Sequence, residues 1–363
     1  MAQAALAPDS FETKRWHARW LLALFLVVGA FFVAVSLSPL RQGFADAPSR
    51  GPTDVELYQA EVERIRAGES YYEAVAHELP ERGYPTASVF NWRTPLPVWL
   101  VAKMPESSTA TVIIGVAALG LVAASFKLLA DEGSTRTALL SVLLLSGAIL
   151  PCLMTDLVVV SELWSGVLIA LSACWFGNGN RRAGLLSGIA ALFFRELAAP
   201  YVVICMALAV YERRFRELAW WFAGLAAYAV FFAFHAHSVS AHAITGQPGL
   251  VSSWIKFGAA PFLISAAQMN GYLLLLPQWV AAVFLACAFL GAATWNTHAG
   301  RLISLTVVIY AVAFSVAGND FNQYWGSMIA PLLAIAAARA PAAVRGLVEQ
   351  SWPAARTGVH AAS

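Results

Sequence analysis

Charge is scarce in this chain. Only 12% of its 363 residues are Asp, Glu, Lys or Arg, against 59% apolar residues, and the mean hydropathy is +0.65. Too little polar surface remains to coat a soluble body, so composition alone places the chain in lipid. An excess of either sign is missing too. With 23 basic and 21 acidic residues the net charge is +2, which offers no basic field for nucleic acid and no acidic tail for a basic partner. The four cysteines, Cys152, Cys174, Cys205 and Cys287, lie in or beside apolar runs without C-x-x-C spacing. That pattern suggests neither a disulfide framework nor a zinc site, and the cysteines read as small core residues. Nucleotide-handling motifs are absent: there is no Gly-rich phosphate loop, no soluble α/β domain for a nucleotide sugar, and no G-x-S-x-G. No repeat of 20 to 50 residues and no low-complexity segment is present.

What the chain has is apolar length. A helix needs about 20 apolar residues to cross a bilayer core of about 30 Å, and basic residues stay on the cytoplasmic side. Lys14, Arg15 and Arg19 precede an apolar run from Trp20 to about Ser38, which directs the first span outward from a cytoplasmic N-terminus. Ala45-Asp46-Ala47 could pass for a signal-peptidase site, but the apolar run exceeds a signal core of about 7 to 15 residues, so an uncleaved span is expected. Further spans are expected at about 108 to 130, 137 to 152, 158 to 176, 183 to 194, 198 to 211, 218 to 235, 271 to 291, 302 to 317 and 326 to 339. The expectation is an all-α, polytopic transmembrane bundle of about ten spans. It forms a single domain over 1 to 363, ending in a cytoplasmic tail at 340 to 363. The clusters Lys127/Arg136, Arg181/Arg182, Arg213/Arg214/Arg216, Arg301 and Arg339/Arg345/Arg356 all fall on the cytoplasmic side of this count.

Two stretches stand apart. Residues 39 to 107 hold 17 charged residues, 10 acidic and 7 basic, whereas the 202 residues from 137 to 338 hold 14. A large outer loop is therefore expected at 39 to 107. Within it Thr53 followed by Glu56 is a capping-box signature, and Val55, Tyr58, Val62 and Ile65 recur at helical spacing before Gly68, which predicts a helix over 54 to 67. Tyr71, Tyr72, Phe90, Trp92 and Trp99 give the loop the aromatic content of a segment lying at the membrane interface. The second stretch is 183 to 211, where basic clusters at both ends require the chain to go out and return. Each limb then spans only roughly 18 to 21 Å, so Arg195 and Glu196 at its tip sit below the outer surface. Charges at that depth line a water-filled cavity or pack inside protein.

The candidates for chemistry share one side. Asp54, Arg93, Asp156, Glu162, Arg195, Glu196, His235, His237, Asp320, Asn322 and Tyr324 all fall at outer depth, and intramembrane ionisable residues are a site hypothesis by default. Each also has a plain structural reading. Asp54 stands at the first helical position, where a carboxylate complements the helix dipole. Glu162 could be half of a buried ion pair with Arg195. Arg195 and Glu196 are sequence neighbours projecting to different sides of a helix, so they are not expected to use each other up. Asp156 reads as a solvated turn or cap residue. His235, His237 and His242 read as an interfacial loop with no metal, since an i, i+2 pair without a carboxylate is a poor ligand set. The run Asn319 to Gly326, with Asn322, Tyr324 and Trp325, suits an interface belt or a sugar-stacking floor equally.

Thr53-Asp54-Val55-Glu56-Leu57-Tyr58, with Ala60, Ile65, Gly68 and Tyr71-Tyr72, resembles the membrane glycosyltransferases of the GT-C superfamily, mannosyltransferase-like members included. In these an acidic residue after the first span opens a juxtamembrane helix with a D-x-x-x-Y-x-A-like pattern. The resemblance implies an outer, periplasmic cavity and inverting transfer of a sugar from a polyprenyl-phosphate carrier. It implies Asp54 as general base, Glu162 or Asp156 as the second acid, and Arg195 or Arg93 as a ligand of the lipid phosphate. It calls for no cofactor, and for membrane lipid and an unspecified acceptor as partners. The motif covers about 60 residues. This chain departs from the pattern in reading D-x-E at Asp54 and Glu56, where Glu56 doubles as a capping-box partner. It departs again in ending at an expected cytoplasmic tail, where many members carry a soluble outer domain. With no nucleotide-binding motif in the sequence, a donor reaching the outer cavity through the membrane plane is the reading that follows. The alternative is a secondary transporter or lipid-translocating protein, in which broken helices and buried charges serve alternating access. Against it stand the missing inverted repeat and the large ordered outer loop. A non-catalytic membrane scaffold is the third reading. The expected location is the bacterial inner membrane with both termini cytoplasmic.

Overall fold

The computed structural model describes residues 15–38, 53–243, 255–318 and 320–352. Among them the chain is helical, with one isolated β-bridge between Ile255 and Ala317. The first helix, α1 (Arg15–Leu37), is followed by three short helices of the polar loop, α2 (Asp54–Arg66), α3 (Tyr71–Glu81) and α4 (Leu96–Lys103). The bundle continues with α5 (Ser107–Glu132), α6 (Thr135–Ile149), α7 (Ser161–Gly177), α8 (Arg181–Phe194), α9 (Ala199–Tyr211) and α10 (Phe215–His242). It closes with α11 (Ala259–Ala267), α12 (Gly271–Leu274), α13 (Gln278–Ala293), α14 (His298–Val316) and α15 (Ala330–Ser351).

Ten of these helices stand where ten spans are expected. Those at Trp16–Leu37, Ser107–Glu132, Thr135–Leu153, Phe215–His242, His298–Val316 and Ala330–Ser351 are long and apolar enough to cross a membrane, and α7, α9 and α13 are shorter apolar helices. Leu24, Leu26, Val27 and Phe31 of α1 are exposed, as apolar side chains facing lipid tails should be. The chain is an integral membrane protein built as an all-α bundle. The tripeptide Ala45-Asp46-Ala47 lies outside the described residues.

Three expectations are corrected. The span expected at 271 to 291 is broken, because Asn270 caps the short α12 and Pro277, which cannot donate to a continuing helix, ends it before α13 begins at Gln278. The histidines expected in an interfacial loop belong to α10, which runs to His242, so His235 and His242 lie on one helical face, two turns apart. The last helix starts later than 326, after a 3-10 segment at Asp320–Met328, and runs to Ser351, through the first half of the segment read as tail.

The polar loop is folded. Thr53 and Glu56 close a reciprocal capping box on α2, with the Glu56 carboxylate 2.7 Å from the Thr53 amide. Ser70 and Glu73 do the same for α3. Tyr71 and Trp92 are not interface aromatics but buried: the Tyr71 hydroxyl donates to the Trp92 carbonyl, and the Trp92 indole donates to the Thr86 carbonyl at 2.8 Å. Phe90 and Trp99 are the exposed ones. Arg64 of α2 binds Glu78 of α3 and ties the two helices together, while Arg82 binds the same carboxylate from the end of α3.

The hairpin forms as two limbs of 14 and 13 residues, α8 and α9, with Pro200 in the first turn of the second. α7 packs along α8, and α13 along α15. Gly291 makes the latter contact close, since a Cβ there would overlap the Ala336 carbonyl. Helix order puts the loop, the start of α7 and the tip of the hairpin at one end. At the other end Glu212 binds Arg214, His298 and Arg301, while Glu217 binds Arg181.

Candidate functional site

Asp54 opens α2, as the capping signal requires, yet its carboxylate does more than face the helix dipole. One oxygen accepts from the Tyr84 hydroxyl at 2.6 Å, and the other lies 3.7 Å from the Arg93 guanidinium. Arg93 in turn donates to the Tyr58 hydroxyl at 2.8 Å and to the Tyr324 hydroxyl at 2.6 Å. It is therefore the hub that joins the polar loop to the segment before α15. Its backbone has φ +55°, a left-handed conformation that a non-glycine residue adopts at a cost of about 1 kcal/mol or more and that tends to mark functional positions. Asn322, buried, lies 3.5 Å from the Tyr324 hydroxyl.

A second cluster lies within electrostatic reach of the first. Arg195 stands between two carboxylates, 2.9 Å from Glu162 and 2.7 Å from Glu196, and Glu162 and Glu196 act on Arg93 as well. Arg195 and Glu196 do meet, but the pair uses neither up, since Arg195 also binds Glu162 and one Glu196 oxygen keeps no hydrogen-bond partner among the described residues. Helix α8 ends at Phe194 and Arg195 is extended (φ −153°, ψ 123°), so the divergence of neighbours on a helix does not apply. The pairing of Glu162 with Arg195, left open by the sequence, is formed. Ser161 donates a further hydrogen bond to Glu162, and Thr94, next to Arg93, donates to the Phe194 carbonyl and clamps the loop to the hairpin tip.

Exposure separates the two clusters. The Asp54 side chain is 26% exposed and that of Arg93 14%, whereas Glu162 and Arg195 are each at 1%. The first cluster is open to solvent, and the Glu162–Arg195 pair is sealed from it. Burial raises the titration of the Tyr58 hydroxyl despite the opposing pull of Arg93, and burial followed by the bond to Asp54 raises that of Tyr84. Both remain neutral donors at physiological pH. Glu61, one turn beyond Tyr58, is buried and raised well above the carboxylate range, first by burial and then by the nearby charge of Glu78.

Two candidates stand apart from this constellation. Asp156 is exposed in a 3-10 turn, and the contact it offers is its backbone carbonyl, which accepts from Gln59 at 3.1 Å. Trp325 is buried with its ring 6.1 Å from that of Phe314. Of the histidines, His235 meets the Tyr72 hydroxyl at 3.1 Å and His242 stacks on the same ring. Among the described residues no group of three or more His, Cys, Asp or Glu side chains is arranged to hold a metal ion. Tyr58 and Tyr84 were missed as site residues. The i, i+4 spacing of Asp54 and Tyr58 could have signalled the first, but nothing local marks Tyr84, 30 residues away.

No family model matches the chain, and no curated protein matches it either. A solved structure, that of ArnT from Cupriavidus metallidurans in the apo state, is similar to this chain with a TM-score of 0.49 and 15% identity, over 89% of this chain and 60% of that one.

Proposed function

We propose that the protein is an integral-membrane glycosyltransferase that moves a sugar from a polyprenyl-phosphate carrier to an acceptor on the outer, periplasmic face. The observation that carries this reading is the Asp54–Arg93 arrangement: a reachable carboxylate beside a guanidinium whose other partners are neutral tyrosine hydroxyls. Asp54, as general base, takes the proton of the acceptor hydroxyl while that oxygen attacks the anomeric carbon and the bond to the carrier phosphate breaks, inverting the centre. Arg93, with Tyr58 and Tyr324 as donors, stabilises the departing phosphate.

Arg195 is the weaker phosphate ligand, because two carboxylates already neutralise it. Its place in this reading is to hold Glu162 and Glu196 in position. Glu162, sealed, is then a positioning residue and not a second proton acceptor. The polar loop lies on the outer face and both termini in the cytoplasm. The direct test is transfer of radiolabelled sugar from a defined polyprenyl-phosphate hexose or pentose by the purified protein in nanodiscs. Absence of transfer and of sugar release across such a donor panel would reject the reading.

A further inference from the structure

The buried polar atoms beside the site that have no hydrogen-bond partner among the described residues include the Tyr228 hydroxyl and one carboxylate oxygen of Glu196, whereas those on Glu162 and Arg195 are engaged in the Arg195 ion pairs. Tyr228 is 7% exposed. It sits midway along α10, with its ring against Phe193 at 5.4 Å in an edge contact, two residues before the Arg195–Glu196 tip of the hairpin. The charged side chains that act on its hydroxyl are Glu196 and Arg195. Arg195 binds only the other Glu196 oxygen. An unmet donor and an unmet acceptor thus lie within electrostatic reach of each other, and a buried polar group left so is costly.

We propose that Glu196 and Tyr228 form a subsite for the hydroxyl groups of a sugar ring. A hydroxyl satisfies both atoms at once, donating to the Glu196 carboxylate and accepting from Tyr228. Phosphate does not fit, since two carboxylates against one guanidinium leave the local formal charge at −1. Glu196 also acts on Arg93, so the subsite adjoins the cluster assigned to the phosphate, where the sugar of a lipid-linked donor must lie. The inference rests on the transferase reading for the identity of the ligand, not for the geometry.

The test is binding, measured with the full chain in nanodiscs against methyl hexopyranosides, farnesyl-phosphate hexose and farnesyl phosphate. Tyr228→Phe and Glu196→Gln should each weaken the sugar probes at least about fivefold and leave farnesyl phosphate within about twofold. Tyr228→Phe removes an unpartnered hydroxyl, so its Tm should stay at or above that of the parent, which separates loss of a contact from loss of the fold. Weakening confined to farnesyl-phosphate hexose assigns the subsite to the donor sugar, and weakening confined to the methyl glycosides assigns it to the acceptor sugar. Equal binding of every sugar probe by the parent and both variants would overturn the proposal and leave water as the occupant. A failed transferase reading shows separately, as absence of sugar transfer and of sugar release by the parent protein across the lipid-linked donor panel.

Discussion

Asp54→Asn separates a structural carboxylate from a catalytic one. As a structural group Asp54 makes three contributions. Its charge complements the N-terminus of α2, worth about 0.3 to 1 kcal/mol. Its partly exposed ion pair with Arg93 at 3.7 Å is worth about 0 to 1 kcal/mol. The third is the hydrogen bond from Tyr84, which an asparagine carbonyl can still accept. The variant should therefore fold, losing at most about 2 kcal/mol. Removal of a general base, by contrast, slows a reaction by about 10² to 10⁴-fold, equivalent to about 2.7 to 5.4 kcal/mol of barrier. Thermal unfolding and single-turnover sugar transfer, measured on the same preparation, should then come apart: a modest fall in Tm against a loss of at least about 100-fold in rate. Glu56→Gln is the control, since glutamine can still close the capping box with Thr53, and it should keep most activity. Near-normal turnover in correctly folded Asp54→Asn protein would remove Asp54 from the mechanism.

Arg195→Met strands Glu162 and Glu196 without their cation. Because removing one partner of a buried pair typically costs about 3 to 5 kcal/mol, detergent-solubilised protein should unfold at markedly lower temperature, and an unchanged Tm would mean the pair is not buried in the native state. Glu61 is raised by burial, so its folded form holds a proton that the unfolded chain releases above about 4.5; stability from this group is full below that pH and is lost as pH climbs towards the folded value. Glu61→Gln should accordingly raise Tm at neutral pH and flatten its decline with pH, and a lowered Tm at neutral pH would refute the argument. Ser240→Cys, near the end of α10, should react with a membrane-impermeant maleimide added outside, whereas Arg182→Cys, at the start of α8, should not; the reverse pattern would invert the topology.

The elements of this protein were legible because each is a local property. Apolar runs become helices in lipid, where every backbone group must be satisfied within its own segment. Thr53-x-x-Glu56 fixed the start of α2, and the basic clusters at 181–182 and 213–216 required the hairpin between them. Ser70-x-x-Glu73 carried the same capping signal for α3 and went unread. Pro277, a residue with no amide proton to donate, marks the break before α13, although the apolar run around it reads as one continuous span.

Contact between distant segments was decided by tertiary structure alone. Asp54, Tyr84, Arg93 and Tyr324 come from three parts of the chain, and no periodicity links them; only the packing of the folded loop against the bundle brings their polar ends together. That Arg195 meets Glu196 as well as Glu162 follows from its backbone, which is extended where the helix ends at Phe194 and lets sequence neighbours come together. Sequence could place charges at one end of the bundle, but which of them is sealed and which is reachable depends on side-chain burial, a property of the whole fold. That difference is what distinguishes Asp54, the proposed base, from Glu162, the proposed positioning residue.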